Sequence, residues 1–315
     1  MPELPEVEYT ARQLRASVVG ATIREAEVFW ERTIKHPALP DFLAQIAGRT
    51  IENVRRRGKF LIIDLSGELF LSVHRRMTGN FLLLQPGWTV DTSLQERDQA
   101  AWNTKGPTYH ASSEAIEGHE TKYCRVSLLF EDGRCLLFTD PRKFGTIGLW
   151  AQSQETEAFR GLGPEPLGAD FTAEGLQCSL VGRRTAIKQL LLDQTIVAGV
   201  GNIYADEALF YASLHPLRRA DSLSASEIAL LHEGIVTVLT RGIEHGGTSF
   251  NSYRDLWGEA GENFNHVQVY QQDGKPCVRC GTLIERIVIA QRSAHFCPGC
   301  QPKTLAEAIL AASEL

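Results

Sequence analysis

The chain has 315 residues, 43% of them hydrophobic and 22% charged, with a formal net charge of −6. These are ordinary values for a globular protein long enough to hold two domains. No run approaches the ~18 uninterrupted apolar residues of a membrane span, and the acidic, proline-punctuated start lacks the basic and apolar regions of a signal peptide, so a cytosolic protein is expected.

The seven cysteines, an odd number, fit reduced thiols plus a metal site better than a disulfide framework. At face value the negative charge argues against a nucleic-acid partner. Its distribution argues otherwise. Residues 88–120 carry six acids and two bases, 151–174 five acids and one base, and 304–315 two acids. These stretches hold −10, leaving +4 on the remainder. Basic runs occur at Arg55, Arg56, Arg57 and Lys59, and again at Lys275, Arg279, Arg286, Arg292 and Lys303.

The chain opens Met1-Pro2-Glu3-Leu4-Pro5-Glu6-Val7-Glu8. With the methionine removed, Pro2 presents a secondary α-amine, a group with a pKa near ~8 that is partly unprotonated at neutral pH. Attack on an aldehydic sugar carbon gives an iminium that stays charged and pulls electrons from the neighbouring carbon, as a lysine Schiff base does. Glu3 and Glu6 are at hand to move protons. Pro5, Glu6 and Glu8 also read as the first turn of a helix with Val7, Leu14 and Val18 as its stripe and Gly20 at its end. That helix leaves Pro2 and Glu3 in front of it.

Residues 21–84 and 122–150 read as strands, with a turn at Ser66-Gly67 and a hairpin signal at Asp132-Gly133. Between them, 86–121 reads as a long polar surface insertion. "GLGPEPLG" at 161–168 is an interdomain linker rather than a phosphate loop, because no strand precedes it. From about 172 the pattern is helical: "TAIKQLLLD", "NIYADEALFYAS", and a long helix capped by Ser224 with Glu227 and ended by Gly246-Gly247. A flexible-looking stretch follows to about 266.

Cys277-x2-Cys280 and Cys297-x2-Cys300 are sixteen residues apart, room for a β-hairpin that returns the chain to one metal. Four thiolates close a tetrahedron, so one structural Zn2+ is expected. Cys124, Cys135 and Cys178 lack such spacing and read as small buried residues. His110 and His119, near Cys124, read as polar-loop histidines.

With "MPELPEVE" at one end and the cysteine quartet at the other, the sequence resembles the bacterial formamidopyrimidine-DNA glycosylase family, bifunctional base-excision enzymes with a related endonuclease VIII branch. "RRRGKF", "TDPRKFG", "LGPEPL", "TAIK", "GVGNIYADEALF" and "GGTSF" follow in family order, so the likeness covers nearly the whole chain. It implies an α+β multidomain fold: an N-terminal β-sandwich with flanking helices, then a helix–two-turn–helix domain with a β-hairpin zinc finger, and DNA in the cleft between them. The expected segments are a catalytic domain over 1–150 with the insertion at 86–121, a linker over 151–171, a helical domain with a lesion loop over 172–266, a zinc finger over 267–303 and a tail over 304–315.

The resemblance also implies roles. Pro2 is the nucleophile on the sugar C1′, Glu3 the proton-transfer group beside it, and Glu6 a support of the DNA pocket. Lys59, the third catalytic candidate, contacts a phosphate next to the lesion and helps hold the sugar, unless it is an exposed strand-end lysine. Met77, Arg142 and Phe144 are two wedges and a guanidinium that fill the space left by an extruded base, where core packing is the alternative for Met77 and Phe144. Lys188, Asn202 and Arg292 contact phosphate or the lesion pocket, with a helix N-cap the second reading of Asn202 and a solvated hairpin arginine that of Arg292. Tyr253, with Ser249, Arg254 and Phe264, belongs to a lesion-capping loop. Where the family often has histidines the chain reads Lys122-Tyr123-Cys124-Arg125, leaving Arg125 as that segment's DNA-binding candidate. The implied partner is damaged double-stranded DNA, bound by a monomer, with oxidised purines as substrates. The alternatives are oxidised pyrimidines, or a zinc-containing DNA-binding protein without catalysis.

Overall fold

The computed structural model describes residues 2–91, 108–110, 121, 123–250 and 253–303. The chain forms two compact units, one of Met1–Arg160 with His245–Glu262, the other of Gly161–Glu244 with Asn263–Leu315.

In the first unit, helix α1 (Leu4–Val18) has proline in its first turn and buries Leu4, Val7, Ala11, Leu14 and Val18 along one face. Gly20, at φ +86°, turns the chain away just beyond it. Nine strands then make two sheets. One has the order β1 (Ile23–Val28), β9 (Cys124–Phe130), β10 (Cys135–Thr139), β6 (Asn80–Leu84). The other runs β2 (Ile34–His36), β11 (Thr146–Ala151), β5 (Leu69–His74), β4 (Phe60–Leu65), β3 (Ile51–Arg57). Phe81, Val126, Leu128, Leu136 and Phe138 of the first sheet share one core with Val54, Leu61, Ile63, Val73 and Ile147 of the second and with Val7, Ala11 and Leu14 of α1. That arrangement is a sandwich with a helix closing its side.

Several expectations change here. The strand-only reading of 21–84 missed helix α2 (Leu39–Ile46), although a proline and Asp41 in its first turn, with Phe42 and Ile46 one turn apart, mark a short amphipathic helix. Within 86–121, β7 (Thr89–Asp91) and β8 (Thr108–His110) pair as an antiparallel ribbon, and Trp88 packs beside Leu82, Leu84 and Cys135. Residues 92–107 and 111–120 of that insertion, His119 among them, lie outside the described residues, as does the tail over 304–315. The 151–160 stretch packs with the first unit, where Glu155 of helix α3 (Glu155–Ala158) pairs with Arg55 at 2.5 and 2.9 Å. Cys178 is exposed, whereas Cys124 and Cys135 are buried.

The stretch from 245 to 262 also packs with the first unit instead of the helical segment. Gly247, at φ +83°, crosses α1 so closely that a Cβ would sit 2.8 Å from Glu6 Cγ and 3.0 Å from Tyr253. Asp255 accepts a hydrogen bond from Gln13 at 2.8 Å, and the Leu256 N–H donates to Gln13 at 3.0 Å.

The second unit is built on α4 (Ala173–Leu180), α5 (Ile187–Leu192), α6 (Asn202–Tyr211) and α7 (Ala225–Glu244). α6 is central: every residue from Ile203 to Phe210 is buried, including Asp206 and Glu207, which must find partners. Gly242 of α7 lets the two helices meet, since a Cβ there would stand 2.6 Å from the Tyr204 hydroxyl. The capping box at Ser224 and Glu227 forms as read, the two N–H donations measuring 2.8 and 3.2 Å. A hairpin of β12 (Glu285–Ile289) and β13 (Arg292–Phe296) turns through Ala290 and Gln291, both at positive φ.

Candidate functional site

The N-terminal end of α1 carries Pro2, Glu3 and Glu6, all buried. One Glu6 oxygen accepts the Glu3 N–H and the other the Thr248 N–H, each at 2.7 Å. Glu6 thus fixes the backbone bearing Glu3 against the segment that starts at Thr248. A carboxylate with both oxygens on backbone donors is a strut. The basic run lies along the same helix: Arg56 pairs with Glu8 at 3.1 Å and donates to the Gly58 carbonyl at 3.0 Å. This draws the β3–β4 turn, with Lys59 on it, to the first half of α1. Lys59 is largely buried, unlike a solvated strand-end lysine.

Met77 and Phe144 are exposed, 38% and 52%, on the turns after β5 and β10. The Arg142 guanidinium lies 3.1 Å from the Met77 sulfur and 4.9 Å from the Phe144 ring centre, so the three make one patch. Buried Asp140 holds the patch together. Its carboxylate accepts from the Thr78 hydroxyl, from the Arg142 N–H at 3.1 Å and from the Gly145 N–H at 2.7 Å.

In the second unit, Asn202 starts α6 and its amide donates to Ser293 Oγ at 3.3 Å. Exposed Arg292 is the neighbouring residue of β13. The four cysteine sulfurs lie within 4.8 Å of one another, with 3.8 Å between Cys277 and Cys300 and 3.4 Å between Cys280 and Cys297. Tetrahedral zinc with thiolates at about 2.3 Å spaces its sulfurs about 3.8 Å apart, so the cluster fits the ion. Each pair also shows a knuckle N–H aimed at sulfur, Arg279 to Cys277 and Cys300 to Cys297, both at 3.4 Å.

Three family models match in succession: the formamidopyrimidine-DNA glycosylase N-terminal domain over 1–147, its H2TH domain over 162–254, and the zinc finger found in FPG and IleRS over 274–303. The chain belongs to the formamidopyrimidine-DNA glycosylase family. A formamidopyrimidine-DNA glycosylase of Herpetosiphon aurantiacus is 44% identical over 96% of this chain and all of its own length. A complex of Lactococcus lactis Fpg with DNA containing an abasic site superposes with a TM-score of 0.81 at 34% identity, and one with DNA containing Fapy-dG at 0.80 and 34%, each covering 96% of this chain and 100% of the other. Cys277, Cys280, Cys297 and Cys300 are therefore the ligands of one structural zinc.

Within this family frame, three residues read as DNA-binding, Lys188, Arg125 and Tyr253, are buried against partners in the protein. Lys188 is 0% exposed, its ammonium 2.5 Å from both Asp206 Oδ1 and the Ser293 carbonyl. Asp206 Oδ2 in turn accepts from the His295 N–H at 2.9 Å. Lys188 thus anchors the zinc hairpin to α5 and α6. Arg125 is buried, its Nε donating to the Asp140 carbonyl at 2.9 Å beneath the Phe144 turn. Tyr253 is buried with its ring 5.1 Å from the Arg75 guanidinium, and burial raises its hydroxyl pKa. Glu6, read as a support of the pocket, holds the Glu3 and Thr248 N–H groups. Asp140, Arg75 and Asp206 went unread in sequence. Only Asp140 had a local signal, an Asp-Pro turn start two residues before Arg142.

Proposed function

We propose that the protein is a bifunctional DNA glycosylase and abasic-site lyase of base excision repair, working as a monomer in the bacterial cytosol on duplex DNA with oxidised purines. The observation that carries this reading is the Met77–Arg142–Phe144 patch. Two large apolar side chains are held in water beside a guanidinium, on a unit whose N-terminus offers a secondary amine. Two exposed apolar side chains joined through one guanidinium suit a vacated base stack, with Arg142 pairing the orphaned base.

Extrusion brings the damaged nucleoside to Pro2. After methionine removal the Pro2 lone pair attacks C1′, and the N-glycosidic bond breaks with its electrons leaving on the base, which takes up a proton. Ring opening gives the iminium. Loss of the C2′ proton expels the 3′ phosphate, and a second elimination expels the 5′ phosphate. Glu3 would move these protons, a reading supported by the Glu6 carboxylate that holds its backbone. Lys59, Asn202 and Arg292 would hold phosphates. Zinc takes no part in the chemistry; it holds the hairpin that carries Arg292.

Borohydride trapping on a duplex with one 8-oxoguanine opposite cytosine tests the reading, with mass analysis of the N-terminal peptide. An adduct on Pro2 is expected. An unmodified Pro2 terminus with DNA still bound would reject it, and a parallel thymine glycol duplex would reveal a pyrimidine enzyme.

A further inference from the structure

Arg75 and Arg125 are the largest fully buried side chains of the first unit, and nothing in the chemistry above uses Arg75. It is 1% exposed. Its Nε donates to the Gly79 carbonyl at 2.7 Å, Nη1 to Thr10 Oγ1 at 2.8 Å, and Nη2 to Asn80 Oδ1 at 2.5 Å and the Arg254 carbonyl at 3.3 Å. The Tyr253 ring lies beside it at 5.1 Å. None of these hydrogen-bond acceptors is a carboxylate, so the guanidinium is a costly way to fill a core position.

The partners come from three separate places. Gly79 and Asn80 close the turn that carries Met77, and Gly79 N–H returns to the Arg75 carbonyl at 3.0 Å. Thr10 lies in α1, whose leading end bears Pro2 and Glu3. Tyr253 and Arg254 belong to the 245–262 segment, and Asn80 Oδ1 also accepts the Arg254 N–H at 3.2 Å. A planar fork with four fixed acceptors sets directions as well as distances.

We propose that Arg75 is a positioning residue that sets the Met77 wedge relative to the Pro2 end of α1, so that filling the stack and presenting C1′ to the amine occur in one geometry. The inference rests on the function proposed above. Its consequence is selective. Excision of a paired base needs wedge and nucleophile in register at once. Cleavage at a preformed abasic site, where no base has to be displaced from the stack, depends far less on the wedge.

The test compares Arg75→Leu, Arg75→Lys and Asn80→Ala with the unaltered protein. Three quantities are measured: the single-turnover excision rate on an 8-oxoguanine–cytosine duplex, the cleavage rate at an abasic site in that duplex, and the thermal midpoint. Displacements near 1 Å cost up to about a hundredfold in rate, so Arg75→Leu is expected to lose about tenfold or more in excision and under about threefold in abasic cleavage. Asn80→Ala should show the same split to a smaller degree, and Arg75→Lys should recover part of it. Parallel loss of both rates, or loss of neither, overturns the proposal. Should Arg75→Leu fail to fold, Asn80→Ala decides by the same criterion. An unaltered protein inactive on both duplexes would instead reject the proposed function.

Discussion

His74 is a built-in probe of how a buried side chain near Met77 responds to acid. It is 8% exposed, stands edge-on to Phe60 and accepts the Arg76 N–H on Nδ1 at 3.0 Å. Burial, with the positive charges of Arg76 and Lys59, brings its pKa down to about 3. An unfolded histidine titrates near 6.5, so between about pH 6.5 and 3 the unfolded chain binds the extra proton. The His74 contribution is therefore intact above about pH 6.5 and is lost as pH falls towards 3. Replacing His74 with Gln should flatten the pH dependence of the urea midpoint over that window, and an unchanged slope would contradict this account. At this scale the sequence was uneven. Pro2 and Glu3 stood out as candidates because position at the chain start gives a proline a secondary amine. The burial of Lys188, Arg125 and Tyr253 was not legible, because residue type reveals a charge or an aromatic ring, but not its surroundings. Their partners Asp206, the Asp140 carbonyl and Arg75 lie 15 to 178 positions away.

Elements are positioned by such buried pairs. Lys188 on α5, Asp206 on α6 and the Ser293 carbonyl on β13 meet at one point, which ties the zinc hairpin to the helix that begins at Asn202. Removing one charge leaves the other stranded in the interior, at a cost of about 3–5 kcal/mol. Lys188→Met should lower the thermal midpoint sharply, whereas Lys188→Met with Asp206→Leu should recover most of the loss. A double variant no more stable than the single one would show that the pair's polar contacts, not charge balance, dominate. Elements defined by local chemistry were readable: the Ser224–Glu227 cap, the Asp132-Gly133 hairpin and the cysteine knuckles. Helix α2 was missed because its eight residues sit among strands. The pairing of β2 with β11 was beyond reach, since Ile34 and its partner Ile147 stand 113 positions apart, as His36 and Gly148 stand 112 apart, and no local signal links them.

Across the whole molecule the net charge of −6 conflicts with an anionic partner until its distribution is considered. The acids concentrate in 88–120, 151–174 and 304–315, and Glu155 among them is already neutralised by Arg55. The phosphate-facing candidates, Lys59, Asn202 and Arg292, lie outside these stretches. Affinity for duplex DNA should therefore fall with salt as it does for a basic protein, by about 0.9 in log–log slope per phosphate neutralised. Arg292→Ala is expected to weaken binding to damaged and undamaged duplexes alike and to make the slope shallower by about one. Removing 304–315 deletes two acids remote in sequence from those candidates and should leave the slope unchanged. If Arg292→Ala lowered affinity without altering the slope, Arg292 would be reading the nucleotide rather than a phosphate. If truncation steepened the slope, the tail would be competing with DNA for the basic face.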